Sequence, residues 1–368
     1  MLGGVRYDDL PRSEFAFPGP LRDQLVAAIL SGAKTSTTGL WLDYQLCGDE
    51  LPVPGELSVV IDSQLQPVAV IETTAAGTCR VGDIDLQHAI DEGEGYQSVA
   101  QWRAGHERFW HSDQVREALG DPGFTVDDDT IAVTERFRVV ERIWSRAEAV
   151  AAFTAEVTAL VEALRGTPET ALANPTRCPP WTVADELAHT VIACSRLESM
   201  LDEPEPQGSA MPAAHYFRPD ERFASAATAS RIAQAQESAA QTPVPQQLSL
   251  LQSQLDLLPR LAQEPPERLV RTRWGDVLTL TDFLVTRVFE LAVHGIDLAD
   301  GLGVAPWLTE QACHMVEGLV LPSGAAVVRN ATGWSGATLL RKTTGREPLT
   351  PTDQTLLHQA GLTHLTLA

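Results

Sequence analysis

A chain of 368 residues exceeds one ordinary domain and can bury two cores. Its formal net charge of −22 leaves little of the basic surface that releases counterions from a polyanion, which argues against duplex or long-strand nucleic acid as a partner. The five cysteines are odd in number and form no CxxC pair, and the apolar runs stop well short of the ~20 residues of a membrane span, so a disulfide framework, a signal peptide and a transmembrane helix are not expected and a cytoplasmic protein is.

Residues 1–142 read as mixed α/β. PLRDQLVAAILSG is a short amphipathic helix with Leu21, Leu25, Ile29 and Leu30 inward and Gly32 near its C-terminus. Strands are expected at 57–62, 67–74 and 130–143, where β-branched residues cluster. SVAQWRAGHERFW (98–110) is a helix capped by Ser98, on which Trp102 and His106 lie one turn apart and are expected to pack together. Short strands with two helices suit a small barrel. Trp41 and Tyr44 are placed to stack on a flat ligand. Only two of the 27 basic residues are lysines, Lys34 and Lys342. Codon bias explains the scarcity but not the retention of Lys34.

Three stretches in this half occur in a telling order: AILSGAKTSTTGLW, PVAVIETT and DEGEGYQSVAQWRAGHERFW. Together they resemble the ASCH domain, a PUA-like small barrel, across about residues 15–142. Members of that family include RNA-associated proteins and small amidohydrolases that deacetylate N4-acetylcytidine with a lysine, a threonine three residues later and a strand glutamate. The resemblance places these roles on Lys34, Thr37 and Glu72. A lysine could then deprotonate the threonine hydroxyl for attack on an amide, with the carboxylic acid serving the leaving amine. The alternative is a pocket without turnover, in which Lys34 pairs with Glu72 and holds a nucleoside-like small molecule.

From Ser145 the pattern turns helical. SRAEAVAAFTAEVTALVEALRG is capped by Ser145 and closed by Gly166, and further helices are expected at 182–201, 245–263, 281–300 and 308–320. Four or five such helices suggest an antiparallel bundle. Residues 202–243 form a long connection, at best partly helical, that could serve as a lid. The tail reads as a small strand-containing appendage. The expected division is 1–142, 143–322 and 323–368, that is, an α+β barrel, an all-α four-helix bundle and a small α/β appendage.

Within the helical half, Glu290 and His294 are spaced to stack on one helix face. His189 sits on another helix, in WTVADELAHTVIA, which Thr182 can cap with Asp185 at N3. Two imidazoles and a carboxylate form a three-ligand set that leaves a divalent metal an open position. Two core histidines satisfied by neighbouring carboxylates would produce the same pattern.

RCPPWTVADELAHTV and RVFELAVHGIDLADGLG resemble the two signatures of the mycothiol-dependent maleylpyruvate isomerase family, a branch of the DinB-like helical bundles. The resemblance runs from about residue 145 onward. It implies zinc held by His189, Glu290 and His294, with mycothiol as thiol cosubstrate and thiol transfer or thiol-assisted isomerisation of a small electrophilic metabolite as the activity. Arg287, one turn before Glu290, could anchor a carboxylate of cofactor or substrate, or form a plain salt bridge. Asp297, one turn after His294, could orient the imidazole. Three other readings stay open: a metal hydrolase using bound water, an internal thiol at Cys178, and a metal-stabilised ligand-binding protein without catalysis.

Overall fold

The computed structural model describes residues 7–363 and 365 and separates them into two compact units. One comprises residues 7–143 with 322–327, the other residues 144–321 with 328 onward.

The first unit runs β1 (Arg12–Ser13), α1 (Pro20–Ser31), β2 (Ser36–Leu40), α2 (Trp41–Cys47), β3 (Leu57–Ile61), β4 (Pro67–Arg80), α3 (Leu86–Asp91), α4 (Val99–Trp110), α5 (Asp113–Leu119) and β5 (Ile131–Arg142). The strands form one mixed sheet in the order β1-β3-β4-β5-β2, in which only β1 and β3 run parallel. The expected barrel is therefore an open ladder: β1 and β2 end it and do not pair with each other among the described residues. Register shifts at Val70/Ile71 and Thr73/Ala75 interrupt the long β4–β5 pairing, which is how a sheet bends.

Helix α1 packs Leu25, Val26 and Ile29 against Val60, Ile71 and Phe137. Leu21, expected inward, is exposed, and Leu30 is half-buried. Arg22 is buried instead, because its guanidinium donates to the Ala16 carbonyl at 2.6 Å and pairs with Glu14 at 2.7 Å. A second apolar cluster joins Trp102 and Trp110 of α4 to Val115 and Leu119 of α5 and to Leu40 and Ala132 of the sheet. Strand β2, STTGL, is too polar to read as a strand alone; it forms because all five residues pair with β5.

The second unit continues with α6 (Arg146–Leu164), α7 (Glu169–Leu172), α8 (Val183–Cys194), α9 (Leu197–Asp202), α10 (Ser225–Gln241), α11 (Val244–Ser253), α12 (Leu258–Leu261), the hairpin β6 (Leu269–Arg271) and β7 (Val277–Thr279), α13 (Leu280–Leu302) and α14 (Glu310–Val320). It closes with the part of α15 (Ala325–Thr332) from Val328 onward, α16 (Gly336–Thr343) and α17 (Pro351–Gln359). Capping boxes at Ser145/Glu148 and Thr182/Asp185 start α6 and α8 where the sequence pattern put them. Helix α13 is apolar nearly all round and lies against α6, α8 and α14, while α10 and α11 pack on α8.

Two expectations change here. The helix expected over 182–201 breaks at Ser195–Arg196 into α8 and α9. The tail expected as an α/β appendage contains no strand among its described residues; α16 buries Gly336, Leu339, Leu340 and Thr343 at helical spacing, α15 and α17 bury Val328 and Leu357, and Arg341 pairs with Asp300 of α13 at 2.6 Å. The long connection is partly helical, as expected: it holds α10, which buries Arg231 and Ala235.

Candidate metal centre

Helices α8 and α13 bring His189, Glu290 and His294 together. Oε2 of Glu290 lies 3.3 Å from Nε2 of His294 and 3.8 Å from Nε2 of His189. The three donor atoms fall within 4.8 Å of one another. Ligands at ~2.0–2.1 Å around a tetrahedral ion stand about 3.3 Å apart, so the set is close to ligating size. Trp181 stacks on His189 with ring centroids 4.7 Å apart, and the two imidazoles meet edge to face.

Hydrogen bonding around His294 fixes the direction of its lone pair. Nδ1 lies 2.8 Å from Oε1 of Glu186, a buried carboxylate of α8. With Nδ1–H donating there, Nε2 is left as an acceptor, and it is buried without a hydrogen-bond partner. Glu290 stands nearby but is not aligned to bond it. An orphaned buried nitrogen facing a carboxylate and a second imidazole is the condition that a bound cation relieves. The residues therefore fit a divalent ion.

Electrostatics agree. Burial pushes the His189 pKa down, which keeps a neutral, ligating imidazole. Burial opposes ionisation of Glu290, yet His189, His294 and Arg287 together hold its carboxyl well below the usual range. Burial likewise opposes a charge on His294, but the acids around it win and raise its pKa well above the ordinary value. Without a metal the ring therefore tends to hold a second proton on Nε2, and a dication held among the same acids would take that proton's place and leave the neutral, ligating ring.

Asp297, expected to orient His294, stands second to Glu186 in that position. It lies 3.5 Å from Nδ1 of His294, farther than Glu186, and the buried guanidinium of Arg346 grips both its oxygens at 2.6–2.9 Å. Cys178, Glu186, His294 and Asp297 also have donor atoms within 4.8 Å of one another, but Arg346 already supplies the positive charge there. Cys178 points its thiol at Asp297 at 3.6 Å, and burial raises its pKa, a poor setting for a nucleophile. Arg287 is buried over the rings of Tyr216 and Phe283 and stands 3.7 Å from Oε1 of Glu290.

The first unit arranges its polar residues differently from the expectation. Lys34, almost fully buried, donates to Glu94 at 3.0 Å, to the Glu92 carboxylate at 3.4 Å and to the Glu92 carbonyl at 3.2 Å. Glu72 instead pairs with Arg138 at 2.9 Å. Strand register explains why: Thr37 lies opposite Glu135, and Glu72 opposite Arg138, three residues along β5, so the two side chains leave opposite faces of the sheet. No hydrogen bond or ion pair joins Lys34, Thr37 and Glu72 among the described residues. Glu92 is the hub. It accepts from Thr38 at 2.6 Å and Trp102 at 3.0 Å and lies 3.2 Å from both His88 and His106. Trp102 and His106 stack at 4.4 Å, as expected of a packed pair. Trp41 and Tyr44 stack on each other.

Comparison with known proteins follows the same division. Residues 14–141 match the family model of the ASCH domain, and residues 150–299 match that of the mycothiol maleylpyruvate isomerase N-terminal domain. The chain thus carries an ASCH domain followed by a DinB-like domain of the mycothiol maleylpyruvate isomerase type. Among solved structures it is similar to an ASCH domain from Lactobacillus crispatus (28% identity over 35% of this chain and 79% of that one, TM-score 0.32). A protein from Enterococcus faecalis is similar at 25% identity, over 35% of this chain and 76% of that one, with a TM-score of 0.31. No curated protein matches the chain.

Proposed function

We propose that the helical unit is a zinc-dependent thiol transferase or isomerase, in which mycothiol adds to a small electrophilic metabolite and either stays as the S-conjugate or leaves again after isomerisation, and that His189, Glu290 and His294 hold the metal. One observation carries the reading: a buried His294 nitrogen, freed by Glu186 on its far side, faces Glu290 and His189 in the domain that matches the mycothiol maleylpyruvate isomerase model. A divalent ion held there would keep a thiol ionised that is otherwise mostly protonated near neutral pH. The chain's own residues do the rest. Glu186 fixes the tautomer of His294, and Trp181 braces His189 and covers one side of its ring. Arg287 stands where it can meet a carboxylate of cofactor or substrate, and its charge helps keep Glu290 ionised.

For the ASCH domain we favour binding of a nucleoside-like small molecule over amide hydrolysis. The opposite-face placement of Thr37 and Glu72, and the pairing of Lys34 with Glu92 and Glu94, support that choice.

Metal analysis of the protein and of His189→Ala tests the ligand set: the parent is expected to hold one zinc and the variant none. Incubating the zinc-loaded protein with mycothiol and a metabolite extract, and seeking sulfur adducts by mass, tests the chemistry. Hydrolysis that proceeds without thiol would replace this reading with the water mechanism.

A further inference from the structure

A cavity of about 290 Å³ opens beside His189 and Glu290, and arginine dominates its polar lining. In a chain with 49 acidic residues against 27 basic ones, an arginine left without a carboxylate is not short of candidates. Yet three of the arginines that line this one cavity each carry a buried guanidinium nitrogen with no hydrogen-bond partner among the described residues: Nε of Arg196, Nε of Arg231 and Nη2 of Arg287. Arg231 is 8% exposed and Arg287 3%.

The hydrogen bonds these side chains do make are to neutral groups, and the one carboxylate near them among the described residues, Glu290, stands 3.7 Å from Nη2 of Arg287, too far for a hydrogen bond. Arg231 donates to the Arg222 carbonyl at 2.6 Å and to the Thr228 hydroxyl at 3.1 Å, and Arg287 to the Ala193 carbonyl at 2.9 Å. Both planes are held against aromatic rings, Arg231 over Phe223 and Arg287 over Tyr216 and Phe283. Arg222 lines the same cavity but is already neutralised by Asp220 and Asp276, so it shows what a structural arginine looks like here. Braced, buried guanidinium groups with unspent donors are built to receive an oxyanion.

We propose that this cavity is an oxyanion subsite, in which Arg196, Arg231 and Arg287 bind a carboxylate or phosphate group of the metabolite that reacts at the neighbouring metal. Anion binding follows from the cavity itself; only its assignment to the reacting metabolite rests on the function proposed above. The subsite depends on the segment expected as a long, at best partly helical connection, because α10 delivers Arg231.

Calorimetric titration of the full-length, zinc-loaded protein with succinate, inorganic phosphate and neutral succinamide tests it. At least one anion is expected to bind with 1:1 stoichiometry, at least tenfold tighter than succinamide, and more weakly as salt rises. Which anion binds decides between carboxylate and phosphate. Arg231→Gln should weaken binding by roughly 10- to 100-fold, the loss expected for a charge-assisted hydrogen bond. Arg231→Lys, keeping charge without the planar fork, should fall between. Two results would overturn the proposal: neither anion binding better than succinamide, or a folded Arg231→Gln protein binding as the parent does. Repeating the titration on His189→Ala separates the two claims, since anion binding that survives in a zinc-free variant leaves the subsite standing. Retained zinc in that variant would count against the ligand assignment alone.

Discussion

Glu186 and His294, 108 residues apart in sequence, meet at 2.8 Å across the contact between α8 and α13, and this pair decides which imidazole nitrogen faces Glu290. A carboxylate behind a ligating histidine raises the basicity of the ring and holds its orientation.

Replacing Glu186 by Gln keeps an acceptor of the same shape while removing the charge. Zinc affinity, measured by competition with a chromogenic chelator, is expected to fall by roughly 10- to 100-fold, the usual cost of losing such an outer partner. Asp297→Asn should have a smaller effect on zinc, because Asp297 is committed to Arg346. Equal losses in the two variants would show that Asp297 shares the orienting role.

The Lys34 network makes a separate prediction for the ASCH domain. Lys34→Met leaves Glu92 and Glu94 buried or half-buried beside a neutral side chain. Breaking a buried pair on one side costs about 3–5 kcal/mol. The unfolding transition of this domain should shift to markedly lower denaturant, while the zinc content of the helical unit stays at that of the parent. A variant as stable as the parent would mean that Lys34 is held for a ligand and not for the fold.

Much of this arrangement was legible in the residues. Helical spacing put Glu290 and His294 on one face, and the caps at Ser145 and Thr182 fall where α6 and α8 begin. What stayed hidden has physical causes. Glu186 lies three residues before His189 on a face otherwise apolar, a buried acid whose partner is on another helix and so leaves no local signal. Strand β2 is made by pairing with β5 rather than by its own polar sequence, so the opposite-face placement of Thr37 and Glu72 depends on a register that motif spacing does not contain. Residues 202–243 read as a connection because α10 is rich in Ser, Ala and Gln, and its contribution, Arg231, gains meaning only beside Arg196 and Arg287.

Cysteine reactivity offers a test of burial. Desolvation pushes Cys194 up to about 12, and Cys313, beside Glu317, is also pushed to about 12. Cys47 is exposed. Since the thiolate is the reacting form, mild alkylation of the native protein at pH 8 followed by peptide mass mapping should label Cys47 first and leave Cys194 and Cys313 unmodified. Early labelling of Cys194 would contradict the packing between α8 and α13.

Asp282, at N3 of α13, gives a pH-dependent prediction with a definite sign. Burial pushes its pKa up from 3.8 to about 6, against the lowering effect of the Thr279 hydroxyl that donates to it at 2.8 Å. A carboxyl whose pKa is higher folded than unfolded favours the native state while protonated, so its contribution is present below about pH 4 and is lost as pH rises toward 6. Asn in its place cannot ionise. The stability of Asp282→Asn relative to the parent should therefore rise between about pH 4 and 6 and stay level above that, as read from melting temperatures of the two proteins in matched buffers. A difference that stays flat across this interval would mean that the helix N-terminus, which attracts negative charge, offsets the cost of burying this carboxylate.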